Sequence, residues 1–426
     1  MQRFKLLASL ALAGFSIAAV LMPAGPPATP DTPATQPSKL IVHEWGTFTT
    51  FSGSDGIQLE FNPVSDELPT FVFDRAKQAA AFEGREAKLA AQQQFNKGFV
   101  PALARMETPV TYFYTDTQRV VTVSVDFPQG LLTEFYPPVR HMLPAYDPEV
   151  RAPLKDGLLA WGKITLIPQA ADPTHDLFPL PPVTGGNHYA FARQTDSAII
   201  RVCDPLLKKD YFEKFLFYRG IGEPKLPITL TASGDGGFTF NNPLPQPIPA
   251  AFLIQVDGDH IRLSRYSNLR GQTAMRVGGE VTLQKVGAEL VDALMTDGLY
   301  EKEARAMVKT WDAWWMKEQG TRVLYLLPAE LTNQIIPLHV DPQPDEMVRV
   351  MVGRLEVMTP ELEGRVKSLI EKLSSDAAAD RAAAFAELKK LGRFAEPALR
   401  HVAEISKMPE MKAAAEELIE QMHGAH

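Results

Sequence analysis

From residue 40 to about residue 286, hydrophobic positions recur mostly at every second residue. Val121, Val123 and Val125 alternate with Thr122 and Ser124, the period of a strand with one buried and one wet face. Val110–Tyr114 precedes it, joined through Thr115 to Gln118. Leu158–Ile167, Tyr189–Arg193, Ala198–Val202, Lys214–Tyr218 and Ile228–Thr231 read as further strands. Phe252–Val256 and Asp259–Leu263 flank an Asp257-Gly258 step that suits a tight hairpin. One stretch breaks the period: Ala76–Asn96 is rich in Ala, Gln, Glu and Lys, with a weak apolar stripe. It predicts a helical insert on the surface.

From Ala288 the period becomes helical. Leu290–Met295 predicts a short helix, and a second runs from about Tyr300 to Glu318. Its stripe of Tyr300, Ala304, Met307, Val308, Trp311 and Trp315 lies on one face and reads as a core anchor. Arg322–Pro328 has almost no polar relief, as a strand buried on both faces would, and Val348–Met358 is another strand. Beyond residue 360 every segment is helical: Leu362, Val366, Leu369, Ile370 and Leu373 make one stripe, Asp376–Lys390 a second that stops at Gly392, and Pro397 opens a third. The expected class is α+β. A β-rich, sandwich-like body spans 39–286, an α/β layer packed on it spans 287–360, and a helical tail spans 361–426.

The first 38 residues read as an export signal followed by a tether. Arg3 and Lys5 precede an uncharged run from Leu6 to Met22, followed by small residues at Ala24 and Gly25, the layout of a secretory signal over 1–24. At about 17 residues the run is also at the short limit for a bilayer span, so an uncleaved signal is the one route by which this chain would meet a membrane. Residues 25–38 form a Pro-rich linker suited to extended, solvated chain. These segments place the protein outside the cytoplasm, periplasmic or extracellular. With a single cysteine, Cys203, no internal disulfide can form, and its Ile199-Ile200-Arg201-Val202 context predicts a buried, inert thiol. The formal net charge of −8 argues against a nucleic-acid partner, which needs a basic face.

Two resemblances bear on the rest. Leu388-Lys389-Lys390-Leu391-Gly392 followed by Ala395-Glu396-Pro397-Ala398-Leu399 resembles a HEAT-type helical repeat. That likeness implies protein contacts or plain packing rather than chemistry, and a single repeat must lean on the preceding domain or on a partner, here an envelope protein reached through the tail. Val42-His43-Glu44-Trp45-Gly46-Thr47-Phe48-Thr49, Met106–Val110, Arg322–Tyr325 and Val348–Arg354 resemble words of a family of exported bacterial proteins with no assigned activity. That likeness implies a compartment and an architecture, and no site residues.

No motif sets a reaction. Gly-x-x-x-x-Gly-Lys-Ser/Thr, Gly-x-Ser-x-Gly and His-Glu-x-x-His are absent, and Gly234-Asp235-Gly236-Gly237 lacks the strand-then-helix context of a dinucleotide loop and reads as a turn. No cofactor is expected; a divalent metal is the alternative. What remains is histidine beside carboxylate. His43 and Glu44 are the leading candidates for a catalytic or binding position, since both are costly to bury unpaired. His188, in the glycine-bearing stretch Thr184–Tyr189, and Arg219 follow. For a metal the candidates are His260 with Asp259 and His339 with Asp341; in a strand, residues i and i+2 share a face. His175-Asp176 is a further such pair. The expected function is a non-enzymatic binding or assembly protein of the cell envelope. The alternatives are a metal-dependent extracytoplasmic hydrolase and a carbohydrate-binding module using Tyr112, Tyr114 and Trp161.

Overall fold

The computed structural model describes residues 38–61, 68–82, 102–147, 153–184, 187–204 and 208–423. The signal 1–24, the linker up to residue 37, residues 83–96 of the expected helical insert, and Gly185-Gly186 lie outside the described residues.

The strands in chain order are β1 (Ile41–Ser52), β2 (Phe73–Asp74), β3 (Ala104–Tyr114), β4 (Arg119–Phe127), β5 (Gly130–Tyr136), β6 (His141–Leu143), β7 (Gly157–Ile167), β8 (Ile199–Asp204), β9 (Lys209–Glu213) and β10 (Leu216–Gly222). There follow β11 (Thr229–Ala232), β12 (Gly237–Asn242), β13 (Ile248–Asp257), β14 (His260–Leu269), β15 (Gly271–Arg276), β16 (Glu280–Val281), β17 (Gly320–Leu326), β18 (Leu338–Asp341) and β19 (Glu346–Val357). The helices are α1 (Arg75–Phe82), α2 (Leu283–Thr296), α3 (Glu301–Asp312), α4 (Ala329–Ile335), α5 (Pro360–Lys372), α6 (Ala378–Leu391), α7 (Glu396–Ile405) and α8 (Pro409–His423). Most helices follow the bulk of the strands, as an α+β chain requires.

Ten strands form one sheet in the order β16-β14-β13-β17-β19-β1-β3-β10-β5-β2. β1 sits inside it, parallel to β19 and antiparallel to β3, and all its residues but Ile41 are buried. A second sheet, β18-β4-β7-β8-β9 with β6 on β7, covers one face: Trp161 of β7 meets Tyr218 of β10 with ring centres 6.2 Å apart. Helix α3 covers the other face, where its Glu303 reaches His43 of β1. A three-stranded sheet, β11-β12-β15, stands beside these, and the Gly234–Gly237 stretch is the turn between β11 and β12.

The alternating patterns predict their strands well. β4 buries Val121, Val123, Val125 and Phe127, and the β13–β14 hairpin forms with Asp257 opposite His260. Its two loop residues are therefore Gly258 and Asp259, and Gly258 takes the positive φ of 59° that the turn needs. Several expectations change. β3 and β4 follow one another in sequence yet lie in different sheets. Residues 287–360 are not a layer of their own: α2 and α3 lie on the large sheet, but β17 and β19 run inside it, between β13 and β1. Tyr189–Arg193 is a 3-10 turn rather than a strand, because Asn187 caps it by accepting the Tyr189 N–H at 2.9 Å. Cys203 is exposed: the β8 alternation puts Ile200 and Val202 inward and carries the thiol out. Helix α1 is docked rather than superficial, with Ala76 and Ala79 buried and Gln78 donating to the Val139 carbonyl at 2.8 Å.

The tail builds a second core in which Val366, Ile370, Leu388, Leu399 and Leu418 join Phe51 and Met358 of the body. Phe394 packs on Phe51 with ring centres 5.5 Å apart. Beside it, a buried ion cluster ties tail to sheet. Glu356 Oε1 accepts from Arg322 Nε at 2.8 Å and Arg354 Nε at 2.7 Å, and lies 3.1 Å from Arg393 Nη2. Glu318 Oε2 lies 2.7 Å from Arg354 and 3.0 Å from Arg393. Arg322 also donates to the carbonyls of Trp315, Glu318 and Gln319, filling acceptors left open where α3 ends in a π-helical turn, Ala313–Lys317.

Burial by itself would raise the Glu356 carboxyl, but Arg322, Arg393 and Arg354 hold it down to about 2. A depressed carboxyl stabilises the fold above its unfolded value and loses that contribution as pH falls through the folded one. Equilibrium unfolding in denaturant should therefore show stability draining between pH ~4.5 and ~2, and Glu356→Gln should remove about 3–5 kcal/mol at neutral pH by leaving buried guanidiniums short of a partner. A variant as stable as the parent, with an unchanged acid limb, would contradict this assignment.

Candidate functional site

His43 and Glu44 are neighbours on β1 and so point to opposite faces of the sheet. His43 Nδ1 lies 2.8 Å from Glu303 Oε2, with both side chains fully buried. The same carboxylate accepts the Tyr114 hydroxyl at 2.6 Å and the Tyr300 N–H at 2.8 Å. A carboxylate oxygen that already accepts from an N–H calls for a proton on Nδ1, so His43 is assigned as the donor. Burial, then the charge of Glu303, pushes the Tyr114 phenol far above its ordinary value and keeps it a donor. The His43 ring packs on Tyr300 at 4.3 Å and Tyr114 at 5.5 Å. The arrangement pins the first turn of α3 to the sheet, and its sealed histidine has no open side for a substrate.

Glu44 is equally committed on the other face. Oε1 accepts from Thr111 Oγ1 at 2.8 Å and Tyr218 Oη at 2.7 Å, and Oε2 from Arg349 Nε at 2.8 Å and Nη2 at 2.6 Å. Arg349 completes its bonding on Asn333 and the Ile336 carbonyl. Burial would lower the Arg349 guanidinium, but Glu44 raises it, so the guanidinium stays charged. Gly46 follows where β3 bulges at Thr108-Pro109; a Cβ there would sit 2.9 Å from Pro109 Cα, so only glycine fits. These two networks account for His43 and Glu44 of the β1 word as parts of the fold.

The structure does bring His188 and Arg219 together. His188 Nε2 lies 3.2 Å from Arg219 Nη2, although 31 positions separate them. His188 faces Trp311 with ring centres 6.5 Å apart, and Arg219 lies over the Phe217 ring at 5.7 Å. Arg219 is buried and His188 is half-buried, so the pair lies only partly within the molecule.

The metal candidates stay apart. His260 is exposed at the β13–β14 hairpin and pairs with Glu280 at 2.9 Å, which raises its pKa chiefly through that hydrogen bond; Asp259 is in the turn. His339 and Asp341 do share the exposed face of β18, as the i, i+2 rule requires, but His339 pairs with Asp126 of β4 at 2.8 Å. Among the described residues, no group of three His, Cys, Asp or Glu side chains could hold a metal ion. Of the proposed sugar platforms, Tyr112 and Trp161 are buried in the core, and Tyr114 is half-buried against His43.

One open feature is a groove of about 670 Å³ where the tail meets the body, between α5 and α7. Its floor is apolar: Leu59, Met358, Val366, Ile370, Ala398 and Val402. Its rim carries Glu60, Glu371 and Glu404, all exposed and without an ion-pair partner among the described residues, against Lys367 and the Glu396-paired Arg400. The tail stripe predicted that these helices pack on something. It did not show the groove, because lining residues from positions 59, 358, 366 and 402 meet only through the fold.

No protein-family model matches this chain, and no curated protein does so either.

The Glu44–Arg349 pair generates a sharp expectation. Arg349→Ala leaves a buried carboxylate with no cation and should cost about 3–5 kcal/mol in urea unfolding. A loss below about 1 kcal/mol would mean the pair carries little of the fold.

Proposed function

We propose that this is an exported, non-enzymatic binding or assembly protein of the cell envelope, and that it holds a partner polypeptide in the groove between α5 and α7. The export signal of residues 1–24 and the words shared with exported bacterial proteins of unassigned activity support the compartment. The groove carries the functional reading. An apolar floor edged by helices is the form that accepts an amphipathic helix, with anchors at i, i+3, i+4 and i+7. Three exposed glutamates on the rim, without an ion-pair partner among the described residues, favour Lys or Arg on the flanks of that helix. His43 and Glu44 of the β1 word are engaged inside the fold, whereas the groove is open and its floor has no cover among the described residues.

A photo-crosslinker placed at exposed His401 should trap one discrete partner from envelope extract. Glu371→Lys with Glu404→Lys should reduce the yield at least severalfold while leaving the melting midpoint in place, and cell fractionation should find the protein outside the cytoplasm. Turnover on a substrate panel, with no crosslink at His401, would overturn the binding reading. Retention in the cytoplasm would overturn the compartment.

A further inference from the structure

A second hollow lies far from the tail in sequence and differs from the groove in chemistry. It is a cleft of about 290 Å³ at the β2 and β9 edges of the two larger sheets, lined by Phe71, Phe73, Tyr136, Tyr211 and Phe212 with a wall of Pro179 and Pro181. We propose that this cleft binds an extended, proline-rich peptide segment that carries an acidic residue.

Ring geometry is the first reason. Phe71 meets Tyr136 at 4.8 Å and 64°, Phe73 meets Tyr211 at 6.0 Å and 77°, and Tyr136 meets Tyr211 at 6.3 Å and 80°. Rings set edge to face make a corrugated surface with notches between them. A sugar ring stacks on a flat, open face, which this arrangement does not present. Proline rings on a polyproline II chain recur every three residues along one side and fit such notches, and they enter with little conformational entropy left to lose.

Hydrogen bonding is the second. A proline-rich chain is short of N–H groups and keeps its carbonyl acceptors. The cleft offers the matching excess of donors. The hydroxyls of Tyr136 and Tyr211 make no hydrogen bond among the described residues. Burial, then Glu213, pushes the Tyr136 phenol above its ordinary value, and burial, then Asp204, does the same for Tyr211, so both remain protonated.

Charge is the third. Of the three charged residues lining the cleft, Asp210 is engaged by Arg201 at 2.6 Å. Lys77 is tied to the Val72 carbonyl at 2.9 Å and lies over the Phe73 ring. Lys209 is exposed, lies 4.9 Å over the Tyr211 ring and has no carboxylate partner among the described residues. The uncompensated charge of the cleft is positive, and an acid on the peptide answers it.

The test is isothermal titration of the full chain with the synthetic peptide Pro-Ala-Pro-Pro-Asp-Pro-Pro-Ala-Pro, alongside a version with Lys in place of Asp and a soluble hexasaccharide. Saturable binding of the Asp peptide is expected, weakened at least severalfold in the Lys version. Tyr136→Phe combined with Tyr211→Phe should weaken it about tenfold. Lys209→Glu, at an exposed position that leaves folding intact, should weaken it severalfold in low salt and less in high salt. No binding at millimolar peptide, binding indifferent to Lys209→Glu, or a preference for the hexasaccharide would each overturn the proposal. The groove variants Glu371→Lys and Glu404→Lys should leave this binding unchanged.

Discussion

Glu44 and Arg349 lie 305 positions apart and directly opposite each other across the β1–β19 pairing. Much of the fold depends on that parallel contact. A parallel pair cannot be closed by a short turn; here the connection is nearly the whole body, including the six-stranded sheet and both helices of the covering layer. The hydrophobic sequence of either strand would tolerate a slip in register. A buried carboxylate that must meet one guanidinium does not, since a slip of one residue would turn each charge to the other face without its partner.

The same logic recurs around the molecule. His43 fixes α3 by its first turn, Arg193 binds Glu213 at 2.7 Å to hold the 3-10 turn against β9, and the Arg322–Glu356–Arg393 cluster seats the tail. Each pair joins separate elements of the fold, so the buried charges specify which surfaces meet while the apolar core supplies most of the stabilisation. Residues that look chemically rich in the sequence are thus used up in positioning. The uncommitted surface lies elsewhere, in an apolar groove with an acidic rim and an aromatic cleft with a basic edge. Their opposite charge and different shape are the grounds on which two different polypeptide ligands are proposed.

Periodicity made much of the secondary structure legible. The alternation of Val121, Val123 and Val125 and the stripe of Ala304, Met307, Val308, Trp311 and Trp315 each describe what one face of one element buries, and both are buried as expected; Tyr300, read as the first member of that stripe, is instead exposed, because it caps the helix from outside. Local composition was less reliable where a neighbour decided the outcome. Tyr189–Arg193 has strand-forming residues yet coils because Asn187 caps it, and Cys203 looked internal until the phase of β8 placed it outside. Among the candidates, His188 with Arg219 was the one pairing of distant residues that the fold realised. Glu303, the residue that makes His43 a structural group, carried in the sequence only the signal of an acid in the first turn of a helix.

By itself, then, the sequence determined the class of the fold, the strands and helices that carry clear periods, and the need of the tail for a surface to lean on, because these follow from contacts between residues close in the chain. Tertiary structure alone decided that β17 and β19 enter the large sheet rather than layer upon it, that His43 and Glu44 serve opposite faces, and that Leu59, Val366 and Val402 line one groove. Those outcomes depend on which distant segments share a face, and no local pattern of polar and apolar positions encodes the identity of the partner.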